Sequence, residues 1–339
     1  MQPGRTTPAA EETISRRDGL RRLAMQAAIG YSAVATSGCA PFQSASEAEL
    51  IWGRRGLSEG RFLKPRAISI DRFDQLYICD TTGRIQVFDR DGNWLRQWST
   101  PETANGRPTG MTMWQPDPDG GPEDDLLLVA DTHYYRMLVY TRDGQRREDL
   151  EIGGEPGVGN GEFAFVTDAV ADRRGNFYIS EYGDSDRIQK FAPDGTFLYQ
   201  WNGSGTAEGR FRRPQSLDID GETLWVTDAL NHRIQRFNVQ PDKPELIDSF
   251  GHLGSQPGQF HYPYGLFVLK DGGAVICEYG NQRITRVDAS GAFLGNWGTP
   301  GVGSGQLDDP WSLVVDSKDR VHVLDSENHR IQRTPLPSA

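Results

Sequence analysis

A motif that occurs six times limits the folds open to this chain. Each copy has two apolar residues, a variable residue, an acid and, a few residues later, a segment close to Arg-Ile-Gln. Successive acids are 51, 50, 47, 50 and 47 residues apart, by subtraction of their positions. A repeat of this length is one supersecondary unit that buries its apolar face only by stacking on its neighbours.

Each repeat is predicted to form four short strands. In the fourth copy these are residues 215–219, 224–227, 233–237 and 246–250, rich in β-branched and aromatic residues. The 39 Gly and 20 Pro of the chain fit the many tight turns of such a fold. Six units of four strands predict an all-β chain folded as a six-bladed β-propeller.

The two ends of the repeat region complement each other. The last copy stops after a third strand at residues 330–333, whereas an unmatched fourth strand occurs at residues 49–53. We therefore expect residues 49–53 to complete the last blade and close the ring, which removes the open sheet edges.

These residues resemble the NHL-repeat family of six-bladed propellers. The resemblance is specific at residues 228–235 and 325–332, and it extends over residues 49–333. Blade one departs from the pattern by one missing residue, and blade three by one additional residue. The family includes RNA-binding propellers and peptidylglycine amidating lyases, in which His side chains hold zinc in the channel.

The first residues resemble an export signal and a lipidation site. Residues 15–20 are similar to the twin-arginine export motif, and an apolar run too short and too polar for a membrane span follows. A disordered basic tail is the alternative. We expect a signal peptide at 1–38, a tether at 39–48 and the propeller at 49–339.

Residues 36–39 resemble a lipobox, in which Cys39 would be lipidated; the rival is cleavage after Ala35 and soluble release. The chain is expected to be exported across the cytoplasmic membrane to its periplasmic side, with the lipid on Cys39 as the membrane attachment. Ala40 stands where an Asp would resemble an inner-membrane retention signal, which favours outer-membrane sorting. Cys79 and Cys277 fill a small-residue position just before the repeated acid, and we expect buried free thiols.

The charge of the chain argues against nucleic acid as a partner. The net charge is −11, and residues 1–38 contain five Arg and three acids, so their removal leaves −13. Phosphate backbones require a basic surface. RNA binding is therefore the weaker alternative, and we expect a monomer that binds no nucleic acid.

The repeated acids and arginines are expected to stabilise each blade, because a residue needed in all six units serves the scaffold. They are Asp80 and Arg84, Asp131 and Arg136, Glu181 and Arg187, Asp228 and Arg233, Glu278 and Arg283, and Asp325 and Arg330. No catalytic residue is assigned among them, and the sequence contains no nucleophile elbow or phosphate loop.

Binding residues are expected where the repeats differ. The position that opens each first strand should line the channel mouth, and its chemically mixed occupants favour a ligand-binding surface. They are Arg66, Thr109, Asp168, Gln215, Tyr264 and Trp311. A second set follows the second strands: His133, Tyr182 and Tyr279. A water-filled channel with drifting residues is the alternative.

The metal ions of related propellers are not expected here. None of the six mouth positions is His, and Asp168 is the only acid among them, which is few for Ca²⁺. The acidic segment 116–125 could attract Ca²⁺, but it lacks the spacing of an EF-hand loop, and a solvated insertion is preferred.

We therefore predict an exported binding or scaffold module rather than an enzyme. Its partner would be an envelope protein, a peptide or a small polar ligand at the channel mouth. The alternative is a metal-dependent enzyme of the propeller lyase or lactonase type, using Zn²⁺ or Ca²⁺. It would employ Asp168, Glu181, Tyr264, Glu278 and Arg66.

Overall fold

A computed structural model of the chain describes residues 46–117 and 119–338. Within these ranges six antiparallel four-stranded sheets form the blades of a β-propeller, which confirms the predicted fold class. The predicted signal peptide, Cys39 and most of the tether lie outside the described residues.

The blades follow one another along the chain. Blade one contains β2 (Pro65–Ile70), β3 (Leu76–Asp80), β4 (Arg84–Phe88) and β5 (Trp94–Ser99). Blade two contains β6 (Gly110–Trp114), β7 (Leu126–Asp131), β8 (Arg136–Thr141) and β9 (Ile152–Gly153). Blade three contains β10 (Phe165–Ala171), β11 (Phe177–Tyr182), β12 (Arg187–Phe191) and β13 (Phe197–Asn202).

The second half repeats this order. Blade four contains β14 (Pro214–Asp220), β15 (Thr223–Asp228), β16 (Arg233–Asn238) and β17 (Glu245–Phe250). Blade five contains β18 (Pro263–Val268), β19 (Ala274–Glu278), β20 (Arg283–Val287) and β21 (Phe293–Trp297). After the short parallel pair β22 (Thr299–Pro300) and β23 (Gln306–Leu307), blade six contains β24 (Pro310–Val315), β25 (Arg320–Asp325) and β26 (Arg330–Pro335).

The remaining strand closes the ring. β1 (Leu50–Trp52) pairs antiparallel with β26 in the register Leu50 to Arg333 and Trp52 to Ile331, and it is the fourth strand of blade six. The helical elements among residues 46–117 and 119–338 are four single 3-10 turns: Pro122–Asp124, Thr132–Tyr134, Glu148–Leu150 and Ala229–Asn231. None of the described helices is long and apolar enough to cross a membrane.

The hydrophobic core is divided among the contacts between blades. Each of the six clusters of buried apolar side chains in the described residues joins two neighbouring blades. Between blades six and one, for example, Trp52 lies over Phe88 with ring centroids 4.7 Å apart. Cys79 and Cys277 are free and buried at two different contacts of this kind. Because every sheet is covered on both faces, stability depends on an intact ring.

The six repeated acids and arginines pair within their blades, where the acid lies at or near the end of the second strand and the arginine begins the third. The N–O distances are 2.8 Å for Asp80–Arg84, 3.0 Å for Asp131–Arg136, 2.8 Å for Asp228–Arg233, 2.6 Å for Glu278–Arg283 and 2.6 Å for Asp325–Arg330; Glu181 and Arg187 also pair. Each of these acids is fully buried.

This pairing also holds the loops that enter the blades. In blade four, Arg233 donates to the carbonyl oxygens of Ala207 and Arg210, at 2.7 and 2.8 Å. Gln235 donates to the Arg210 carbonyl as well and accepts from the Gly209 N–H. Charge-assisted bonds of this kind satisfy backbone groups that a tight loop leaves unpaired.

The acidic insertion in blade two is held by blade one. Arg72 donates to both carboxylate oxygens of Asp125, at 2.9 and 2.5 Å, and to the Gly120 carbonyl at 2.9 Å. Asp125 is fully buried. This part of the insertion is therefore an anchored connection between two blades.

Candidate functional site

A central channel of about 550 Å³ runs between the first strands of the blades. Five of the six predicted mouth residues line it: Thr109, Asp168, Gln215, Tyr264 and Trp311. Pockets of roughly 300 to 1,000 Å³ are typical of small-molecule sites. The channel is therefore large enough to admit a small ligand.

The strand register gives one predicted mouth residue, Asp168, a different position from the one expected. Val166 pairs with the repeated acid Glu181, just as Pro65 pairs with Asp80 in blade one. The next residue, at the local register shift, is Arg66 in blade one and Thr167 in blade three. Asp168 therefore lies one residue further into the channel than the sequence comparison placed it.

Arginine and aromatic side chains from five blades form a continuous group, which we call the mouth cluster: Arg66, Tyr182, Arg213, Tyr264, Tyr279 and Trp311. Tyr264 stacks on Tyr279 with ring centroids 4.7 Å apart, and its ring lies 5.2 Å from that of Trp311. The Arg66 guanidinium lies 4.8 Å from the centre of the Trp311 ring. Favourable cation–π attraction is expected at such distances.

Arg213 joins blade three to blade five within the mouth cluster. Its guanidinium lies 4.6 Å from the ring of Tyr182 and 5.2 Å from that of Tyr264. Its Nε donates to Gln215 at 2.9 Å. The backbone is left-handed at Arg213, with φ of 59°, immediately before Pro214. Such a conformation costs about 1–3 kcal/mol and persists only where the surrounding structure holds it.

Alignment of the six repeats does not identify Arg213 as a mouth residue, although its position directly before a recurring feature of the repeat, the first-strand proline, could have indicated it. Residues directly before the proline that opens a first strand are left-handed in blades one, four, five and six: Lys64, Arg213, Tyr262 and Asp309. The repeated residue–Pro pair thus marks a second ring of positions around the mouth.

Blade two contributes Thr109 and His133 to the same region. Thr109 shares a hydrogen bond of 2.8 Å with the Thr132 hydroxyl and donates to the Thr167 carbonyl at 3.2 Å. The His133 ring lies 5.1 Å from Phe165. Burial, followed by the charges of Arg66 and Arg107, lowers the pKa of His133. The neutral form of His133 is therefore favoured beside these two arginines.

Asp168 connects blade three to blade four. Its Oδ2 accepts from the Ser216 hydroxyl and the Leu217 N–H, both at 3.0 Å. Asp218 repeats the arrangement by accepting from the Val268 N–H of blade five at 2.7 Å. Burial raises the pKa of Asp168 to about 7 and that of Asp218 to about 6, although these hydrogen bonds oppose the shift. Both carboxyls thus bind exposed edges of neighbouring first strands.

Two acids proposed for an enzymatic site are already engaged in the scaffold. Glu181 and Glu278 are fully buried and pair with Arg187 and Arg283. Both occupy the position of the repeated acid, which every blade contains, so neither residue marks its blade as a site of catalysis.

The fold and the channel define a class of protein: a closed six-bladed β-propeller with a ligand-sized central channel. Residues 122–304 match the family described as "SMP-30/Gluconolactonase/LRE-like region", and residues 307–333 match the NHL repeat. The chain belongs to the SMP-30/gluconolactonase/LRE-like family, and its NHL repeat confirms the resemblance seen in the sequence.

Curated relatives share parts of the chain. Human NHL repeat-containing protein 3 is 29% identical over 175 residues, which are 48% of this chain and 50% of the relative. Rat peptidylglycine alpha-amidating monooxygenase is 32% identical over 279 residues, 73% of this chain and 26% of the relative. The chain thus spans half of the first relative's length and about a quarter of the second's.

Solved structures support the same fold. A streptogramin B lyase structure superposes with a TM-score of 0.57 at 14% identity, covering 83% of this chain and 95% of that one. At this identity the similarity establishes the propeller architecture.

The donor groups in the channel do not fit the metal sites of related propellers. The residues at the mouth position, with Thr167 in blade three, include neither a His nor an acid. No group of three His, Cys, Asp or Glu suited to a metal ion occurs within residues 46–117 and 119–338. The carboxylates of Asp168 and Asp218 already accept backbone hydrogen bonds from neighbouring blades.

Proposed function

We propose that this propeller is a binding protein that takes a small polar ligand or the end of a peptide at its channel mouth. The observation that carries this proposal is the mouth cluster of two arginines and four aromatic rings, of which Tyr264 and Trp311 line the channel of about 550 Å³. Aromatic walls with a few directed polar groups are typical of ligand sites.

Binding can be tested by calorimetry on the purified residues 46–339 with a panel of amino acids, dipeptides and sugar acids. Trp311→Ala removes an aromatic wall of the channel, so ligands that bind the wild type should lose affinity in this variant. Leu253→Ala is the matched control, because Leu253 is 59% exposed and lies outside the channel lining. Binding that is equal in both variants, or no binding by any compound, would refute the proposal.

A metal-dependent enzyme remains the second candidate function, because the amidating monooxygenase relative is 32% identical over 73% of this chain. The test is metal analysis of the purified protein. A stoichiometric Zn²⁺ or Ca²⁺ that is lost in Asp168→Asn would replace the binding proposal with this one. Asp168 accepts a backbone hydrogen bond, and Glu181 and Glu278 form ion pairs within their blades. Because these acids are already bound within the scaffold, they support the binding function instead.

We further propose that the propeller is exported and attached to a membrane through a lipid on Cys39. The support is the order of the twin-arginine-like motif, the apolar run and the lipobox-like residues 36–39. The first described residue, Ser46, follows Cys39 by seven positions, so the lipid would hold the propeller near the membrane. If Cys39→Ser leaves the mature mass and the membrane association unchanged, this part of the proposal is wrong.

A further inference from the structure

Within the described residues, the mouth cluster contains hydrogen-bond donors that have no acceptor. The half-buried guanidinium of Arg66 makes no hydrogen bond or ion pair within the described residues, and its close neighbour is the Trp311 ring. The Trp311 Nε1 is buried and also lacks a partner there. The indole N–H groups of five other described tryptophans are also unpartnered, so the informative donor is the Arg66 guanidinium, whose partial burial without an acceptor is unfavourable.

The second arginine of the mouth cluster is only partly used. Arg213 donates through Nε to Gln215, while its terminal nitrogens make no hydrogen bond within residues 46–117 and 119–338. The rings of Tyr182 and Tyr264 fix the plane of its guanidinium from both sides. A guanidinium that is oriented in advance loses less entropy when it binds an anion.

Acids near the mouth do not neutralise Arg66. Asp309 accepts from the Tyr279 hydroxyl at 2.8 Å, and Glu327 pairs with Lys64 at 2.6 Å. Burial and the charge of Arg107 lower the pKa of Arg66, whereas Glu327 and the hydroxyls of Tyr182 and Tyr279 act in the opposite direction more weakly. Positive charge is therefore concentrated at the mouth of a chain whose net charge is −11.

We propose that the ligand carries an oxyanion, a carboxylate or a phosphate, which binds to the Arg66 guanidinium while an apolar part of the ligand packs on the aromatic rings of the mouth cluster. This inference rests on the proposed binding function and narrows its ligand class. Arginine presents its N–H groups in a fork that matches the oxygens of either anion.

Four probes with one phenyl ring test the head-group preference: benzoate, phenyl phosphate, benzamide and benzylamine. Calorimetry should show benzoate or phenyl phosphate binding at least about tenfold more tightly than benzamide and benzylamine, since a charge-assisted bond is worth this much. The tighter of the two anions identifies the source of the oxyanion as a carboxylate or a phosphate.

Arg66→Gln should remove the preference for the anions, and Arg66→Lys should keep part of it. Arg212→Gln is the matched control, because it removes one charge from an exposed position beside the mouth and should leave the preference intact. Melting temperatures of the Arg66 variants should stay within a few degrees of the wild type, because Arg66→Gln loses the cation–π contact with Trp311 but no hydrogen bond within the described residues.

Outcomes separate this inference from the binding function. Equal affinity for benzamide and the anions, or an anion preference that survives Arg66→Gln, would overturn the oxyanion site while leaving the channel as a binding site. Binding of none of the four probes would overturn the oxyanion site. If the wider panel of amino acids, dipeptides and sugar acids also failed to bind, the binding function would fall with it.

Discussion

Because β1 closes the ring, we expect that removing one of its side chains, that of Trp52, strongly lowers the stability of the propeller. Trp52 lies between blades six and one, with its ring centroid 4.7 Å from that of Phe88 and 5.9 Å from that of Phe62. Loss of a buried Trp side chain costs about 3–5 kcal/mol. Because Trp52 is half-buried, we expect Trp52→Ala to lower the free energy of unfolding by about 3 kcal/mol, the lower end of that range.

The assay is urea unfolding combined with amide hydrogen exchange. If the ring is one cooperative unit, the unfolding midpoint falls with an unchanged slope. Exchange by global opening should then accelerate about 100-fold in blade three, far from the substitution, as well as in blade six. Unchanged exchange in blade three, or a second unfolding transition, would refute the reasoning, since the effect would then be local fraying.

Two neighbouring substitutions serve as controls. Ile51 precedes Trp52 in the same strand and is 37% exposed, so Ile51→Ala should cost about 1 kcal/mol or less. Trp52→Phe keeps an aromatic ring and removes an indole N–H that is buried and has no partner among the described residues. Its loss of stability should therefore be less than half of that in Trp52→Ala.

Two further predictions concern buried groups. Burial raises the pKa of Asp168 from 3.8 to about 7, so between these values the folded protein holds a proton that the unfolded chain has released, and stability falls as the pH rises. Asp168→Asn should remove this contribution, and the wild-type minus variant difference in unfolding free energy should decrease from about pH 4 to about pH 7; a constant difference would contradict it. Cys79 and Cys277 are fully buried and burial raises the pKa of both thiols, so a thiol reagent should label them only after unfolding. Labelling of the native protein at either residue would show that these contacts open.

The scaffold could be predicted from the sequence because its chemistry is repeated. Strands expected at residues 215–219 and 233–237 are observed as Pro214–Asp220 and Arg233–Asn238. The expected closing strand at 49–53 is observed as Leu50–Trp52, paired with the last strand. Alternating apolar residues and turn residues determine these positions locally, so no tertiary information is required.

The functional site could be predicted less completely from the sequence, because its geometry depends on strand register and on contacts between blades. Blade three has Val166 where the other blades have a proline, so its mouth position cannot be aligned by that proline. The sequence therefore assigns Asp168 to the mouth position, whereas the strand register gives that position to Thr167. The contact of Arg213 with two tyrosines from different blades depends on a left-handed backbone conformation. The repeated residue–Pro pair marks the position of Arg213, but the sequence pattern does not indicate which side chains of other blades it contacts.

The hydrogen bonds that Asp168 and Asp218 accept from neighbouring first strands also restrict what can enter the channel. They occupy the N–H groups of Leu217 and Val268, and Ser69 similarly accepts from the Met113 N–H at 2.8 Å. A strand edge with free N–H groups is a template for an added strand, either from a peptide ligand or from a misfolded chain. Because side chains of the adjacent blades cover these N–H groups, a peptide strand could pair at these three positions only by breaking contacts between blades.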